Sequence, residues 1–128
     1  MTESLAISKE FPLDSDEARL LVEIAYCGLA RGLLSHAGRV FTGVLAVRPD
    51  LDAARVGLAL IDLRSGQPAA AEHRLRGCPP SDAARLFLGW ALRDLGDKAE
   101  ARRILDDVAA TSSELAYADT ARQLLAGM

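Results

Sequence analysis

The sequence predicts an all-α protein of about seven helices. Apolar residues recur at helical spacing along most of the 128-residue chain, and no stretch alternates apolar and polar residues as a half-buried strand does. Capping residues, glycines and prolines separate these stretches at short intervals. Half of the residues are hydrophobic and 26% are charged, which is typical of a folded globular chain.

The first helix follows a polar lead over residues 1–13. Asp14 and Glu17 have the spacing of a capping box, in which each side chain accepts a hydrogen bond from the backbone of the other residue. A broad apolar face with helical spacing is predicted from Ala18 onward: Ala18, Leu21, Val22, Ile24, Ala25, Cys27 and Leu29. Gly32 suits the left-handed position that ends such a helix, so the first loop is predicted there.

Three further helices are predicted in the middle of the chain. The second spans about 35–47, because Pro49 cannot continue it. The third stops at Gly66. Pro68 then occupies a first-turn position of a short fourth helix over about 68–76, where its missing N–H has no cost.

Capping residues also mark the last three helices. Ser81 caps the fifth helix, and Asp97 and Glu100 again have capping-box spacing at the start of the sixth. Thr111 and Glu114 are predicted to cap the last helix.

A spaced pattern of glycine and alanine recurs three times along these helices. Each glycine is followed five residues later by an alanine, as Gly32/Ala37, Gly66/Ala71 and Gly96/Ala101. With the glycines aligned, a large residue also falls at one place in each second helix: Phe41, Leu75 and Leu105. The recurrence predicts three helix–turn–helix units of similar geometry.

This frame resembles the tetratricopeptide repeat, a helix–turn–helix unit of 34 residues. The resemblance implies a right-handed superhelical array within a single domain over 14–128. Its three degenerate units and capping helix would span 18–49, 52–80, 82–109 and 114–126. The second unit is shorter, and the shortening is expected in its second helix and the loop that follows.

In that family the first helix of each unit lines a concave surface. The inward-facing pattern transfers to nine candidate partner-binding residues: Val22, Tyr26, Leu29, Val56, Leu60, Leu63, Leu86, Trp90 and Arg93. Eight of the nine are apolar or aromatic, so the groove suits an amphipathic helix better than a charged peptide terminus. Tyr26 and Trp90 are the strongest candidates, whereas Val56 and Leu86 are equally well explained as core residues.

Two segments resemble a narrower family, the small chaperones of bacterial type III secretion. "LLVEIAYCGLARGLLSHAGRVFTGVL" and "LFLGWALRDLG" resemble the first and third units of the needle-subunit chaperones. The resemblance implies a non-enzymatic chaperone that works with a small helical co-chaperone and masks the apolar C-terminal helix of a secreted subunit. A self-associating scaffold outside secretion is the alternative, and an enzyme is the least favoured.

Composition and residue spacing argue against several other classes of protein function. The net charge of −3 does not suggest nucleic-acid binding, and no apolar run is long enough for a membrane span. Cys27 and Cys78 lack metal-type spacing, and His36 and His73 lack a local nucleophile or metal partners, so no catalytic, cofactor or metal site is expected. With no secretory signal in the sequence, a cytoplasmic protein is expected.

Overall fold

The structure is a computed structural model that describes residues 13–128, and within that range it contains seven α-helices and no strand. The all-α prediction is therefore confirmed. The predicted polar lead lies outside the described residues except for Leu13. The helices, numbered here in chain order, are α1 (Ser15–Ala30), α2 (Leu34–Val47), α3 (Asp52–Arg64), α4 (Pro68–Arg76), α5 (Asp82–Asp94), α6 (Lys98–Thr111) and α7 (Leu115–Ala126).

These helices form two compact units, one ending at Ile61 and the other spanning Asp62–Met128. A single domain over 14–128 remains a prediction. In the first unit α1 packs on α2, and the side chains between them include Ala18, Val22, Ala25, Leu29, Ala37, Phe41 and Val44. In the second unit α4 packs on α5, α5 on α6, and α7 on both α5 and α6.

Two of the predicted helix starts have the expected side-chain caps. The Glu17 backbone N–H donates to Asp14 at 2.8 Å, and the Asp14 N–H donates to the Glu17 carboxylate at 3.1 Å, which completes the capping box. At the start of α5 the Ser81 hydroxyl oxygen accepts from the Ala84 N–H at 3.2 Å. Each cap satisfies backbone donors that the first turn of a helix leaves unpaired.

The other two predicted caps differ from expectation. Asp97 accepts from the Glu100 N–H at 3.3 Å, but the Glu100 carboxylate contacts arginine side chains on α4 and α6. The prediction that Thr111 caps the last helix is wrong. Thr111 is the final residue of α6, and its hydroxyl donates to the Asp107 carbonyl at 2.8 Å. Glu114 takes the N-cap position of α7 without a side-chain cap bond.

The three repeated glycines share one turn geometry. Gly32, Gly66 and Gly96 have φ values of 81°, 75° and 92°, in the left-handed region that favours glycine. In each turn the glycine N–H bonds to the carbonyl three residues earlier, and the next N–H bonds to the carbonyl five residues before it. This is the Schellman pattern of a helix C-terminus. The next helix then begins two residues after the glycine.

The second helix–turn–helix segment of the sequence is shortened where the sequence predicts. Its second helix, α4, has nine residues, whereas α2 and α6 have 14 each. The turn itself is unchanged, because the loss falls at the far end of α4. There Cys78, Pro79 and Pro80 connect to α5 without further helix.

Candidate protein-binding site

The shared turns give the first helices of the three hairpins, α1, α3 and α5, one common register. The nine predicted contact residues accordingly fall at three positions: ten, six and three residues before the turn glycine. Because an α-helix advances by about 100° per residue, positions ten and three lie on nearly the same line along the helix. Position six is rotated from that line by about 40–60°. Different surroundings are expected for the rotated position.

Five of the nine residues are buried in the structure. Val22, Val56 and Leu86, ten residues before each glycine, have 5%, 4% and 1% of their surface exposed. Leu29 and Leu63, three residues before, are 2% and 5% exposed. Side chains this buried belong to the packing of the units and offer little area to a partner. The core explanation considered for Val56 and Leu86 is thus favoured, and it extends to three more residues.

The residue six positions before each turn glycine is less buried than the five residues above. Tyr26, Leu60 and Trp90 occupy this position, and all three side chains are half-buried. Arg93 is the fourth half-buried member of the predicted set, and its guanidinium contacts the carboxylate of Asp94 at 3.1 Å. These four residues retain the accessible area that contact with a partner requires.

Tyr26 lies beside a cavity in the first unit. Its hydroxyl donates to the Ala53 carbonyl at 2.7 Å, and its ring packs edge-on against Phe41 with the centroids 5.0 Å apart. The cavity has a volume of about 340 Å³. It is lined by Arg19, Val22, Glu23, Tyr26, Leu51 and Ala53. Tyr26 therefore both links α1 to α3 and forms one wall of an open pocket.

Trp90 holds the equivalent position in the second unit. Its ring packs edge-on against Phe87 at a centroid distance of 6.4 Å. The indole N–H donates to no group within residues 13–128, and no buried side-chain N or O atom in that range lacks a partner, so this N–H reaches the surface and can donate to another molecule. A Trp with one packed face and an unused donor is the kind of residue that contributes strongly to binding.

A second cavity, of about 270 Å³, lies in the second unit next to the end of the shortened α4. Sequence reasoning did not predict it, although the missing helical turn and the Cys-Pro-Pro segment were the available signals. Its walls are Leu75, Arg76, Cys78, Pro80, Ala84, Arg85 and Leu88. The lining thus combines apolar side chains with two arginines.

Both arginines that line this cavity have carboxylate partners. Arg76 contacts Glu72 at 3.1 Å and Glu100 at 3.3 Å, and these hydrogen bonds raise the pKa of the guanidinium. Arg85 contacts Asp82 at 2.9 Å and also pairs with Asp107. The hydrogen bond from Arg85, and a second one from a serine hydroxyl, lower the pKa of Asp82. Both arginines that line this cavity are therefore already ion-paired.

Residues 13–128 contain no group of three or more His, Cys, Asp or Glu side chains arranged to hold a metal ion, and none of their helices is long and apolar enough to cross a membrane. His36 and His73 are exposed. No protein-family model matches the chain, and no curated protein matches it either.

Proposed function

We propose that the chain is a non-enzymatic protein-binding module whose helical repeats stack and hold an amphipathic helix of a partner in an apolar groove. One observation carries the proposal. In all three hairpins the residue six positions before the turn glycine is large, apolar or aromatic, and half-buried: Tyr26, Leu60 and Trp90. In a stacked array such equivalent positions line one face.

The chemistry of this series favours an apolar ligand surface. A helix that presents side chains at spacings of three and four residues can bury them against such a row, while its polar face stays in water. The arginine at the edge of the series, Arg93, is already paired with Asp94. A charged peptide terminus would have to displace that pair, so it is the weaker candidate.

The cellular role in this proposal follows from the resemblance of α1, α2 and α5 to the needle-subunit chaperones. The chain would be a cytoplasmic type III secretion chaperone that covers the amphipathic helix of a needle or other secreted subunit, together with a small helical co-chaperone. The apolar character of the Tyr26, Leu60 and Trp90 positions, which suits an amphipathic helix, supports this role. Co-purification with one small helical subunit from the native cell would identify the client.

The single tryptophan of the chain makes the groove directly testable. The probe is a designed amphipathic peptide with leucines on one helical face, compared with a scrambled peptide of identical composition. Because binding would remove water from Trp90, we expect a saturable blue shift of its fluorescence with the amphipathic peptide only. Equal shifts with both peptides, or no shift with either, would contradict the proposal.

Leu60 and Leu115 provide a matched pair of variants. Leu60→Ala should weaken peptide binding about tenfold, the usual effect of truncating a contact residue worth about 1.4 kcal/mol. Leu115, 71% exposed and outside the series, should tolerate the same change without effect on binding. Tyr26 is a poor choice for this test, since its loss would also remove the Ala53 hydrogen bond and the Phe41 contact.

A further inference from the structure

The outer face of α1 carries an apolar stripe that no described residue covers. Leu20 and Ile24 are 58% and 53% exposed, and Cys27 is also exposed. The three residues follow one another at spacings of four and three, so they lie on one line along the helix. The buried residues of α1 lie on the opposite side. Two of the five exposed large hydrophobic residues in the described chain are therefore neighbours here.

Opposite charges flank this stripe at equal distances. Glu17 lies seven residues before Ile24, and Arg31 lies seven residues after it, on the same line of the helix. The Glu17 carboxylate accepts a hydrogen bond from the Asp14 backbone, but within residues 13–128 it has no cationic partner. Arg31 likewise pairs with no carboxylate of the described chain.

A helix running antiparallel to α1 and related to it by a two-fold axis at Ile24 matches this pattern. Glu17 of each copy would face Arg31 of the other, and the two Ile24 side chains would meet at the centre. Leu20 would lie opposite Gly28 of the other copy. A parallel arrangement would instead place Glu17 against Glu17 and Arg31 against Arg31, which is repulsive.

We propose that α1 is a self-association surface on which a second copy of this chain docks antiparallel, with the apolar stripe at its centre and two Glu17–Arg31 ion pairs at its ends. Interfaces of this size, built from one helix of each copy, belong to the weak and transient class. The association is reversible and depends on protein concentration.

The other charged groups beside the stripe are Asp16 and Glu23, on one edge of it. In the symmetric pair the Glu23 side chains of the two copies lie near each other. Their repulsion opposes association. Neutralising Glu23 should therefore strengthen the dimer. Tyr26 lies about 160° around α1 from Ile24, so the dimer does not cover Tyr26. A failure of the dimer proposal would consequently not contradict the proposed function, and the reverse also holds.

The first experiment is sedimentation velocity of the full chain over a wide range of concentration. We expect a monomer–dimer equilibrium that Leu20→Glu with Ile24→Glu weakens at least about 100-fold, because four carboxylates would then be buried at the seam. Leu115→Glu, the same substitution at an exposed leucine elsewhere, should leave the equilibrium unchanged. Circular dichroism of each variant checks that the helices persist.

The second experiment tests the antiparallel register. Arg31→Glu and Glu17→Lys should each weaken self-association about tenfold, since each places like charges at both ends of the pair. Mixing the two variants should restore dimers, because every end then joins a lysine or arginine to a glutamate. Glu23→Gln should tighten the wild-type dimer by about threefold.

Two results would overturn the proposal. One is a chain that stays monomeric at every concentration, which would leave the stripe to a partner of different sequence. The other is a dimer that survives the Leu20/Ile24 double substitution or fails to form heterodimers from the two charge variants. That dimer would use another face.

Discussion

The two units of the chain are built on the same hairpin turn but are held together by different chemistry. In the first unit the long-range hydrogen bonds run from side chains to backbone or hydroxyl oxygens. Tyr26 donates to the Ala53 carbonyl at 2.7 Å, and Arg48 donates to the Leu13 carbonyl at 3.2 Å and to the Ser15 hydroxyl at 2.7 Å. None of these acceptors changes its charge with pH.

In the second unit carboxylates take the equivalent role. Ion pairs connect residues that are distant in sequence: Arg74–Asp62, Arg76–Glu100 and Arg85–Asp107. Asp82 also accepts from the Ser112 hydroxyl at 2.9 Å, which joins the start of α5 to the residue that follows α6. The same turn geometry is therefore compatible with either kind of link between helices, and the carboxylate links of the second unit should respond to acid.

The large residue of the second helix shows a similar divergence. Phe41 and Leu105 are equivalent in the repeat frame, and both are fully buried. Phe41 packs over Gly57 of the following helix, whereas Leu105 packs over Gly89 of its own hairpin. In both units a missing side chain makes room for the large residue, but the glycine that provides it lies on a different helix.

Substituting alanine for Gly57 and for Gly89 distinguishes these two arrangements most clearly. A Cβ on Gly57 would overlap three atoms of the rigid Phe41 ring, and one on Gly89 would lie 2.7 Å from two atoms of the more adaptable Leu105. We expect Gly57→Ala to lower the free energy of unfolding by about 3 kcal/mol and Gly89→Ala by about 2 kcal/mol, as overpacking does. Urea unfolding measures both.

Gly38 provides the control for this pair. It lies within α2, and a Cβ there would meet only Ile61 at an ordinary contact distance of 3.6 Å. Gly38→Ala should therefore stabilise the chain by about 0.5–1 kcal/mol through helix propensity alone. Equal costs at Gly57 and Gly38 would show that the ring does not rest on Gly57.

The turn glycines come next in expected effect, and here the two units should agree. An added Cβ at Gly32, Gly66 or Gly96 meets nothing within 4 Å, so any cost comes from the left-handed backbone alone. Alanine should cost about 1–2 kcal/mol at each position. Similar losses in thermal or urea unfolding would support one turn geometry, and a site without loss would show that its turn differs.

These turns were also the most predictable part of the fold. Glycine at a left-handed helix end, the Asp14–Glu17 box and Pro68 at a first turn are local signals, and the structure confirms each one. The prediction at Thr111 failed because α6 continues to that residue, and its hydroxyl bonds back to a carbonyl of its own helix. Local capping patterns do not show how far the preceding helix extends.

The candidate site was less predictable than the fold. The repeat frame identified three equivalent positions on each first helix, but their burial depends on small rotations about the helix axis. Only Tyr26, Leu60, Trp90 and Arg93 retain exposed area. The cavity beside the shortened α4 depends on which side chains close the gap, and a single sequence does not show that. The exposed stripe of α1 was missed because Ile24 and Cys27 were assigned to the broad apolar face of that helix, whereas the structure exposes both side chains.

The smallest expected effect is the acid response of the second unit. The hydrogen bonds from Arg85 and Ser112 hold the pKa of Asp82 below its ordinary value. A carboxylate with a lowered folded-state pKa stabilises the fold above its unfolded-state pKa, and this contribution disappears as the pH falls through the folded-state value. Asp82→Asn should thus lower the melting temperature at neutral pH, and the gap from wild type should close as the pH falls below about 4. Asp106→Asn, an exposed site on α6 without an ion pair in the described chain, should show no such gap. A difference at Asp82 that persists at low pH would assign its role to the helix start instead of the charge pair.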